Sequence, residues 1–365
     1  MNSGRSLSGP LHKMLQDSDL PFRDFVEVAL YYPELGYYAR GESPVGKTGD
    51  FVTSPQISPL FSFVLSLLIS EFRALVDGGM STIVDVGCGD GSLTHSLYKP
   101  AENAQFWGVD RSLDRVSHRE GVNFTTNLAD VPGGDAQLII CNELFDALPF
   151  GRLVMRGEHL HELWVTERDG ALDWSEHEAE GAYEDYFEER GIELHDGQFV
   201  DVSLEWESLY EEICRFVTRG LIVTFDYGYP EKRLFSGRAR QFGTAAAYSG
   251  HQVSRDLLAR PGQQDLTAHI NFSDLQRTGE RNGFTTLFFD RQAKFLLAAG
   301  ATEHEFLAPL DDVRAANADQ ALEVRERREE ARRLVLPDGI GEEMRVLVQG
   351  NGVRAGGWSF QRKLF

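Results

Sequence analysis

Short, uninterrupted apolar runs alternate with helical patterns along most of the chain. Residues 136–141 and 221–226 have the continuous apolar character of strands that are covered on both faces. Further strands are predicted at residues 82–86, 106–110, 123–126, 285–289 and 345–348. Helices are predicted at residues 20–35, 60–75 and 92–98. Strands that alternate with helices predict an α/β fold with a doubly wound, Rossmann-like parallel sheet.

Two segments interrupt this alternation. Residues 151–206 alternate apolar and polar positions around turn signals such as Asp169-Gly170, which predicts an inserted β-rich subdomain. Residues 229–272 are rich in Gly, Arg, Gln and Ala, which is typical of a long functional loop. We therefore expect three parts: a helical segment over 1–79, a core over 80–150 and 213–365, and an insertion over 151–212. Residues 311–334 carry Glu and Arg at helical spacing, as in a solvated surface helix.

A glycine-rich turn, VDVGCGDGSL at residues 84–93, follows the first core strand. Gly87, Gly89 and Gly91 lack Cβ atoms where the backbone turns sharply and where a ligand would approach it. A dinucleotide fingerprint has its third glycine at the position of Ser92. This displacement, together with the acidic Asp85, favours S-adenosylmethionine over a nicotinamide or flavin dinucleotide. A phosphate P-loop is excluded because no Gly-Lys-Ser/Thr follows.

Three polar residues are placed to contact such a cofactor. Asp110 ends the next strand, where a carboxylate accepts both ribose hydroxyls of a nucleoside. Asn127 follows the third predicted strand and is a candidate for the adenine edge. Asp85 is a candidate for the ammonium of the methionine part. The alternative is that the glycines only form a tight turn and that Asp110 is a solvated strand end.

The fourth strand ends in the sequence NELFDALP at residues 142–149. Glu143 and Asp146 are three residues apart, so they would share one face of a helical turn, where two carboxylates hold a cationic acceptor and take its proton. In the alternative interpretation, Asn142 caps a helix and Asp146 interacts with the dipole of that helix. Both residues would then have purely structural roles.

The fifth strand ends at Asp226, whose carboxylate is expected at the same edge of the sheet. Tyr227 and Tyr229 are either the walls of an acceptor pocket or packing aromatics. His251 and His269 in the long loop are candidate general bases, although structural roles are commoner for a lone histidine in a chain with ten. No spacing indicates a metal site, and no Gly-x-Ser-x-Gly indicates a hydrolase.

The composition of the chain limits the classes of partner that it is expected to bind. The 365 residues carry 36 Lys and Arg against 57 Asp and Glu, a net charge of −21, which argues against nucleic acid and anionic membrane. Residues 151–212 hold four arginines and no lysine against 19 acids, so they account for −15 of that charge. They predict either a solvated surface or a lobe that attracts a basic, arginine-bearing partner. Three separated cysteines and the absence of a signal or transit pattern predict a cytoplasmic protein.

Several motifs together resemble the MidA family, whose members are mitochondrial dysfunction protein A and its bacterial relatives. The resemblance rests on YYPELGYY at 31–38, GDFVTSPQISP at 49–59, the glycine loop, NELFDALP, DYG at 226–228 and DLTAHINF at 265–272. It implies a bacterial member with a class I methyltransferase sheet that uses S-adenosyl-L-methionine to methylate a protein arginine. A homodimer is among the expected assemblies. The resemblance also implies an N-terminal lid over the cofactor, formed by Gly49, Asp50, Thr53 and Ser54.

The resulting hypothesis gives Glu143 the main catalytic role, helped by Asp146 or Asp226, and adds Asn142 to the cofactor-binding residues. Three positions depart from the family pattern: Cys88 replaces a proline, Gln56 a glutamate and Asn127 an aspartate. Gln56 and the divergent insertion leave a second hypothesis open, a cofactor-binding assembly protein that methylates nothing. A dinucleotide-dependent oxidoreductase is the third.

Overall fold

A computed structural model describes residues 8–16, 18–39, 54–75, 79–100, 103–179, 181–237, 240–250, 252–307, 318–337 and 339–362. Its α-helices are α1 (Ser8–Leu15), α2 (Phe22–Tyr31), α3 (Ser54–Ile57), α4 (Pro59–Ala74), α5 (Ser92–Leu97), α6 (Ala182–Arg190), α7 (Glu205–Phe216), α8 (Glu231–Leu234), α9 (Phe272–Arg281), α10 (Gln292–Ala298), α11 (Ala318–Arg333) and α12 (Ile340–Glu343). Its strands are β1 (Leu20–Pro21), β2 (Ser81–Val86), β3 (Ala104–Val109), β4 (Val122–Thr125), β5 (Ala136–Asn142), β6 (Gly151–Arg156), β7 (His159–Arg168), β8 (Ala171–Glu178), β9 (Phe199–Val202), β10 (Gly220–Tyr229), β11 (Ala246–Ser249), β12 (Gln252–Ser254), β13 (Asp265–Thr267), β14 (Ile270–Asn271), β15 (Thr285–Arg291) and β16 (Met344–Asn351).

The contacts of the chain divide it into two compact units. The first contains the described residues within Met1–Phe51, Phe145–Ser208 and Tyr229–Asp274. The second contains those within Val52–Leu144, Leu209–Gly228 and Leu275–Phe365. Helices α1 and α2 therefore share a unit with residues 151–208 and with the long segment 229–272, whereas α3 and α4 belong to the other unit. The division into three folding parts that the sequence suggested stays a prediction.

The second unit is built on a large, mostly parallel sheet, which confirms the predicted α/β fold. The strand order is β15-β16-β10-β5-β2-β3-β4. The strands from β10 to β4 are parallel, whereas β16 runs antiparallel to both of its neighbours. The expectation of a wholly parallel sheet is therefore wrong for the last strand. An uninterrupted apolar run indicates that both faces of a strand are buried, but it does not indicate the direction in which the strand runs.

Helix α4 matches the predicted helix at 60–75 and anchors the core of the second unit. Its N-terminus is defined by Ser58, whose hydroxyl accepts a hydrogen bond from the N–H of Leu60, and by Pro59 in the first turn. Its buried side chains pack into the core beneath the central sheet. The ring of Phe61, for example, meets Phe225 of β10 edge-on, with 5.0 Å between the ring centroids.

The first unit contains an antiparallel sheet in the order β1-β7-β6-β9, with β8 paired to β7. Asp169 and Gly170 both have positive φ, +52° and +80°, as a tight hairpin turn between β7 and β8 requires. The predicted β-rich insertion is present and also carries α6. The long segment after β10 is more ordered than expected, because it forms α8 and a three-stranded sheet of β11, β12 and β13.

Helix α11 is mostly exposed and carries i,i+4 ion pairs such as Arg327 with Glu323 at 2.6 Å. One stripe nevertheless faces the core, since Ala331 and the following Leu334 are fully buried. Of the helices that the structure describes, none combines the length and the apolar character that a membrane span requires.

Candidate functional site

The carboxyl ends of the parallel strands form one edge of the sheet in the second unit. Val86, at the end of β2, is the register partner of both Val109 and Cys141. Asn142 pairs in the same way with Phe225 of β10. The residues that follow these strands are therefore neighbours along this edge, in the order Asp110, Gly87, Glu143 and Asp226. Backbone hydrogen bonds continue the row, for example from Glu143 N–H to the Phe225 carbonyl at 2.9 Å.

The three glycines of the loop have positive φ but different surroundings. A Cβ at Gly87 would lie 2.8 Å from Leu144 Cδ1, and one at Gly91 would lie 2.9 Å from Phe124 Cε1. These two glycines are therefore required by the packing of the protein itself. A Cβ at Gly89, where φ is +58°, would meet nothing within 4 Å. Gly89 is thus the position where the loop borders open space that a ligand can occupy.

Asp110 is oriented by the glycine loop. Its Oδ2 accepts a hydrogen bond from the N–H of Gly89 at 2.8 Å, and its Oδ1 accepts one from Ser112 N–H at 3.3 Å. Partial burial raises the pKa of the Asp110 carboxyl, and the backbone donors oppose that rise. Each carboxylate oxygen keeps a further lone pair, so the predicted contact with ribose hydroxyls is compatible with this geometry.

Asp85 lies below the loop and is only 3% exposed. Its Oδ2 accepts a hydrogen bond from Thr94 Oγ1 at 2.7 Å, which ties the end of β2 to α5. Burial, together with the nearby charges of Asp110 and Asp90, raises the pKa of Asp85 to about 7, although the hydrogen bond from Thr94 opposes the rise. The structure thus gives Asp85 a partner that sequence reasoning missed, while a contact with the cofactor ammonium stays a prediction.

Asn127 is exposed and caps a short 3₁₀ turn. Its Oδ1 accepts a hydrogen bond from the N–H of Ala129 at 3.0 Å. Among the described residues its Nδ2 donates no hydrogen bond, so the amide N–H groups are free to meet a ligand. The proposed contact with adenine would use this end of the side chain.

Glu143 and Asp146 are not on a helix, so the expectation that they share a helical face is wrong. Strand β5 continues through Asn142, and the chain then turns at Glu143 with a left-handed φ of +52°. Asn142 consequently does not cap a helix either. Asp146 belongs to the first unit, where its side chain is buried and its carbonyl accepts a hydrogen bond from Ala268 N–H at 3.4 Å.

The Glu143 carboxylate is held by two donors in the second unit. Its Oε1 accepts hydrogen bonds from the N–H of Ser54 at 3.3 Å and from Asn142 Nδ2 at 3.4 Å. The Oδ1 of Asn142 is buried and accepts no hydrogen bond within the described chain. A buried acceptor without a donor at the edge of a sheet is suited to a ligand N–H or O–H. A left-handed non-glycine residue at this point is also typical of a functional site.

The hydroxyl of Ser54 connects the hydrogen bonds around Glu143 to buried residues of the core. It lies 3.2 Å from Gln292 Oε1 and 3.3 Å from Met344 Sδ, and all three residues belong to the second unit. Gln292 is fully buried at the start of α10, and sequence reasoning missed it. No local pattern marks this glutamine, since its role depends on a residue 238 positions away.

Asp226 is fully buried near the end of β10, as the predicted strand end requires, and its register partner in β16 is Arg345. Its Oδ1 accepts a hydrogen bond from Tyr227 N–H at 2.8 Å. His269 belongs to the first unit, where its Nδ1 lies 3.4 Å from Nη1 of Arg240. An arginine donates only, so this contact makes the Nδ1 of His269 an acceptor.

Several candidates lie outside the described residues: Gly49, Asp50, Thr53 and His251. The side chain of Gln56 is not described either. The role of the N-terminal lid therefore stays a prediction, with Ser54 as its one described member. In the described part of the chain, no three His, Cys, Asp or Glu side chains gather as metal ligands.

Comparison with known proteins connects this geometry to one enzyme class. Residues 68–289, more than half of the chain, match the model of a family described as "Putative S-adenosyl-L-methionine-dependent methyltransferase". A relative from Drosophila melanogaster, named protein arginine methyltransferase NDUFAF7 homolog, is 25% identical over 74% of this chain and 69% of its own. The Danio rerio protein arginine methyltransferase NDUFAF7 is 26% identical over 73% and 69%.

A solved structure has the same fold along nearly the whole chain. It is a COG1565 superfamily member from Burkholderia thailandensis, crystallised with S-adenosyl-homocysteine. The two proteins superpose with a TM-score of 0.84 at 24% identity, covering 97% of this chain and 94% of that one. This likeness establishes the fold of the present chain.

Proposed function

Because the chain belongs to this family of S-adenosyl-L-methionine-dependent methyltransferases, we propose that its acceptor is the guanidinium group of an arginine in a protein. Membership confirms the resemblance seen in the sequence motifs, and the cofactor is S-adenosyl-L-methionine. The proposal of arginine is supported by the names of the relatives from Drosophila melanogaster and Danio rerio. The observation that carries it in this chain is the oriented carboxylate of Glu143.

The strand-end residues of the second unit fit the cofactor. The loop at Gly89 leaves room for a ligand against the backbone, and Asp110 presents lone pairs beside it. The free Oδ1 of Asn142 supplies a further acceptor on the same edge. When bound, the cofactor supplies an electrophilic methyl group on a sulfonium centre.

A guanidinium group is charged at neutral pH, so it must lose a proton before one of its nitrogens can attack a methyl group. Glu143 is suited to this task because a carboxylate binds a guanidinium through paired hydrogen bonds and can accept its proton. The donors from Ser54 and Asn142 both reach Oε1 and so fix the orientation of the Glu143 carboxylate. Asp226 follows Phe225 on the neighbouring strand, so a second carboxyl group lies along this edge.

The decisive experiment is transfer of a labelled methyl group from S-adenosyl-L-methionine to a host lysate by the purified full chain. Mass spectrometry of the labelled band would identify the modified residue. The proposal expects monomethyl- or dimethylarginine in a protein. Label on lysine, on a carboxyl group or on a small molecule would overturn the arginine assignment.

The same experiment tests the non-catalytic alternative. A protein that binds S-adenosyl-homocysteine by calorimetry but labels nothing in lysate would be a cofactor-binding assembly protein. Glu143→Gln is the matched control, because it should reproduce that behaviour in a protein that is otherwise unchanged.

A further inference from the structure

Glu143 adopts a backbone conformation that its neighbours must enforce. Its φ of +52° is left-handed, which is unfavourable for a residue other than glycine and persists only where the surrounding structure imposes it. Two of its contacts come from other segments of the second unit. Its N–H donates to the Phe225 carbonyl at 2.9 Å, and its Oε1 accepts from the N–H of Ser54 at 3.3 Å. The position of the carboxylate therefore depends on how firmly Ser54 is held.

Ser54 is not fixed by its own helix. Helix α3 has only four residues, too few to hold its backbone by helical hydrogen bonds alone. The Ser54 side chain is instead fully buried, and its hydroxyl lies 3.2 Å from Oε1 and 3.1 Å from Nε2 of Gln292. A hydroxyl both donates and accepts, so either amide group can pair with it. Met344 Sδ, at 3.3 Å, is only a weak acceptor, so the orientation of Ser54 depends on Gln292.

Gln292 begins α10, a helix that is anchored in the core of the second unit. Its side chain is fully buried, and so is Phe295 three residues later. The ring of Phe295 packs against Phe225 of β10 and against Phe360, with 5.4 and 5.6 Å between the ring centroids. Phe225 is also the residue whose carbonyl holds the backbone of Glu143. The backbone and the carboxylate of Glu143 are therefore both connected to the packed contact between α10 and β10.

We infer that Gln292 is a positioning residue for methyl transfer, because it fixes Ser54 and Ser54 in turn orients the Glu143 carboxylate. This inference rests on the proposed function, since it adds a residue to the same site. In this role Gln292 needs no contact with the cofactor or the acceptor. A fully buried glutamine is unfavourable unless its amide is paired, and the pairing with Ser54 explains why a polar side chain stands at this point of the core.

The rival interpretation is that the pair of Ser54 and Gln292 only stabilises the core. Both interpretations predict that breaking the pair destabilises the protein, because a buried polar group loses its partner. They differ when both partners become apolar. The double variant Ser54→Ala, Gln292→Met leaves neither side chain with a buried polar group to satisfy, so it should regain much of the lost stability. It does not restore the restraint on Glu143, so activity should stay low if Gln292 is a positioning residue.

The first measurement is methyl transfer by the purified full chain to the acceptor identified in lysate. Gln292→Met should lower kcat about tenfold, as expected for a modest misplacement of a reacting group, with nearly unchanged affinity for S-adenosyl-homocysteine. The double variant should be as slow as Gln292→Met, although its midpoint of urea unfolding should approach that of the wild type. In a Glu143→Gln background, Gln292→Met should lower kcat no further, because the group that it positions is already lost.

The matched control is Gln349→Met. Gln349 is also fully buried in the second unit, where its Oε1 accepts a hydrogen bond from the Tyr210 hydroxyl at 2.7 Å. The change removes a buried amide from a hydrogen-bonded pair but leaves the pair of Ser54 and Gln292 intact. It should destabilise the protein as Gln292→Met does, while kcat stays close to that of the wild type. If Gln292→Met does not fold, Ser54→Ala removes the other half of the pair and should lower kcat similarly.

The amide proton of Ser54 reports the contact with Glu143 without any acceptor. It is observed by nuclear magnetic resonance in protein with isotope-labelled serine, and its signal is assigned by its loss in Ser54→Ala. In Glu143→Gln this signal should move upfield, since a neutral oxygen polarises the N–H less than a carboxylate does. Gln292→Met should move it in the same direction and speed its hydrogen exchange several-fold. Gln349→Met should leave both quantities unchanged.

An unchanged Ser54 amide signal in Gln292→Met would overturn the inference, and so would a double variant that regains both stability and kcat. These outcomes differ from failure of the proposed function. If the labelled product is not an arginine, the same variants are compared on the acceptor that is found. If nothing is labelled, the Ser54 amide decides by itself whether Gln292 maintains the contact with Glu143.

Discussion

The backbone N–H of Ser54 donates a hydrogen bond to Oε1 of Glu143 over 3.3 Å, although the two residues are 89 positions apart. Ser54 begins α3, and Glu143 follows β5 at the carboxyl edge of the sheet. The bond connects Ser54 of the motif at 49–59 with Glu143 of the motif at 142–149, and both residues belong to the second unit. Two sequence signatures that look independent therefore describe one local arrangement, which orients the carboxylate for its proposed task.

The first prediction concerns Glu143. The change Glu143→Gln keeps an oxygen that can accept from Ser54 N–H but removes the negative charge and the proton acceptor. We expect methyl transfer to fall at least about 100-fold, the size typical of a lost general base. The affinity for S-adenosyl-homocysteine should stay nearly the same. Label transfer to the acceptor identified in lysate, together with calorimetry, measures both quantities.

The control for this variant is Glu158→Gln, which changes an exposed glutamate between β6 and β7 in the first unit and should leave transfer intact. Unchanged turnover by Glu143→Gln would remove Glu143 from the mechanism. A parallel loss of cofactor affinity would instead make it a cofactor-binding residue.

The second prediction concerns Gly89, whose position has a close match elsewhere in the chain. Gly89 and Gly157 have φ of +58° and +60°, and a Cβ at either would meet nothing within 4 Å. A valine at either position should therefore destabilise the fold similarly, by roughly 1–2 kcal/mol for the left-handed backbone. Only Gly89→Val should abolish binding of S-adenosyl-homocysteine, because only that side chain enters the proposed cofactor space.

Calorimetric titration and thermal unfolding of the two valine variants provide the comparison. Wild-type affinity in Gly89→Val would refute the cofactor site at this loop. Equal loss of affinity in Gly157→Val would attribute the effect to general destabilisation.

The third prediction is a pH dependence of stability from Asp85. The carboxyl has a pKa of about 7 in the folded protein against an ordinary value of 3.8, because it is buried. Between these pH values the folded state retains a proton that the unfolded state has released. Asp85 therefore favours folding at low pH, and this contribution is lost as the pH rises towards 7, at about 1.4 kcal/mol per unit.

The variant Asp85→Asn removes this dependence. Urea unfolding at a series of pH values should show that wild type loses free energy of unfolding relative to the variant between about pH 4 and pH 7. Asp196→Asn, at an exposed aspartate of the first unit, should follow the wild-type profile. Parallel curves for wild type and Asp85→Asn would show that the carboxyl is not perturbed by burial.

The fourth prediction concerns the acidic face of α6. The side chains of Glu184, Asp185, Glu188 and Glu189 are all exposed on this helix. If they attract a basic acceptor, amide substitutions at all four should lower kcat/KM at low salt and make it less dependent on ionic strength. The rate of methyl transfer at several salt concentrations measures this effect.

A control on α11 separates local attraction from total charge. Replacing Glu323, Glu326 and Glu329 with Gln also removes exposed negative charge, at another surface. These changes should leave the salt dependence nearly as in the wild type. If the wild-type rate does not change with salt concentration, the acidic residues of α6 are only a solvated surface and do not attract the acceptor.

The strands of the central sheet could be predicted closely from the sequence. Runs such as 136–141 and 221–226 are apolar without interruption because both faces of a parallel strand are covered, and this property is local. The glycine loop was predictable for a similar reason, since positive φ at alternate positions selects glycine directly.

The site residues were predictable as candidates but not as an arrangement. Glu143 and Asp146 were expected on one helical face because their spacing of three allows it. The chain instead turns at Glu143 with positive φ, and Asp146 belongs to the other compact unit. A spacing predicts a shared face only if the backbone is helical, and that depends on packing which the spacing does not contain.

By itself, the sequence determined the α/β class, the glycine loop with its strand-end acids, and the family through its motifs, because each depends on residue types over a short stretch. Only the tertiary structure decided that Asp85 bonds to Thr94, that Ser54 contacts both Glu143 and Gln292, and that β16 is antiparallel. These relationships join residues that are distant along the chain. Their free energy comes from burial and hydrogen bonds that exist only after the chain has folded.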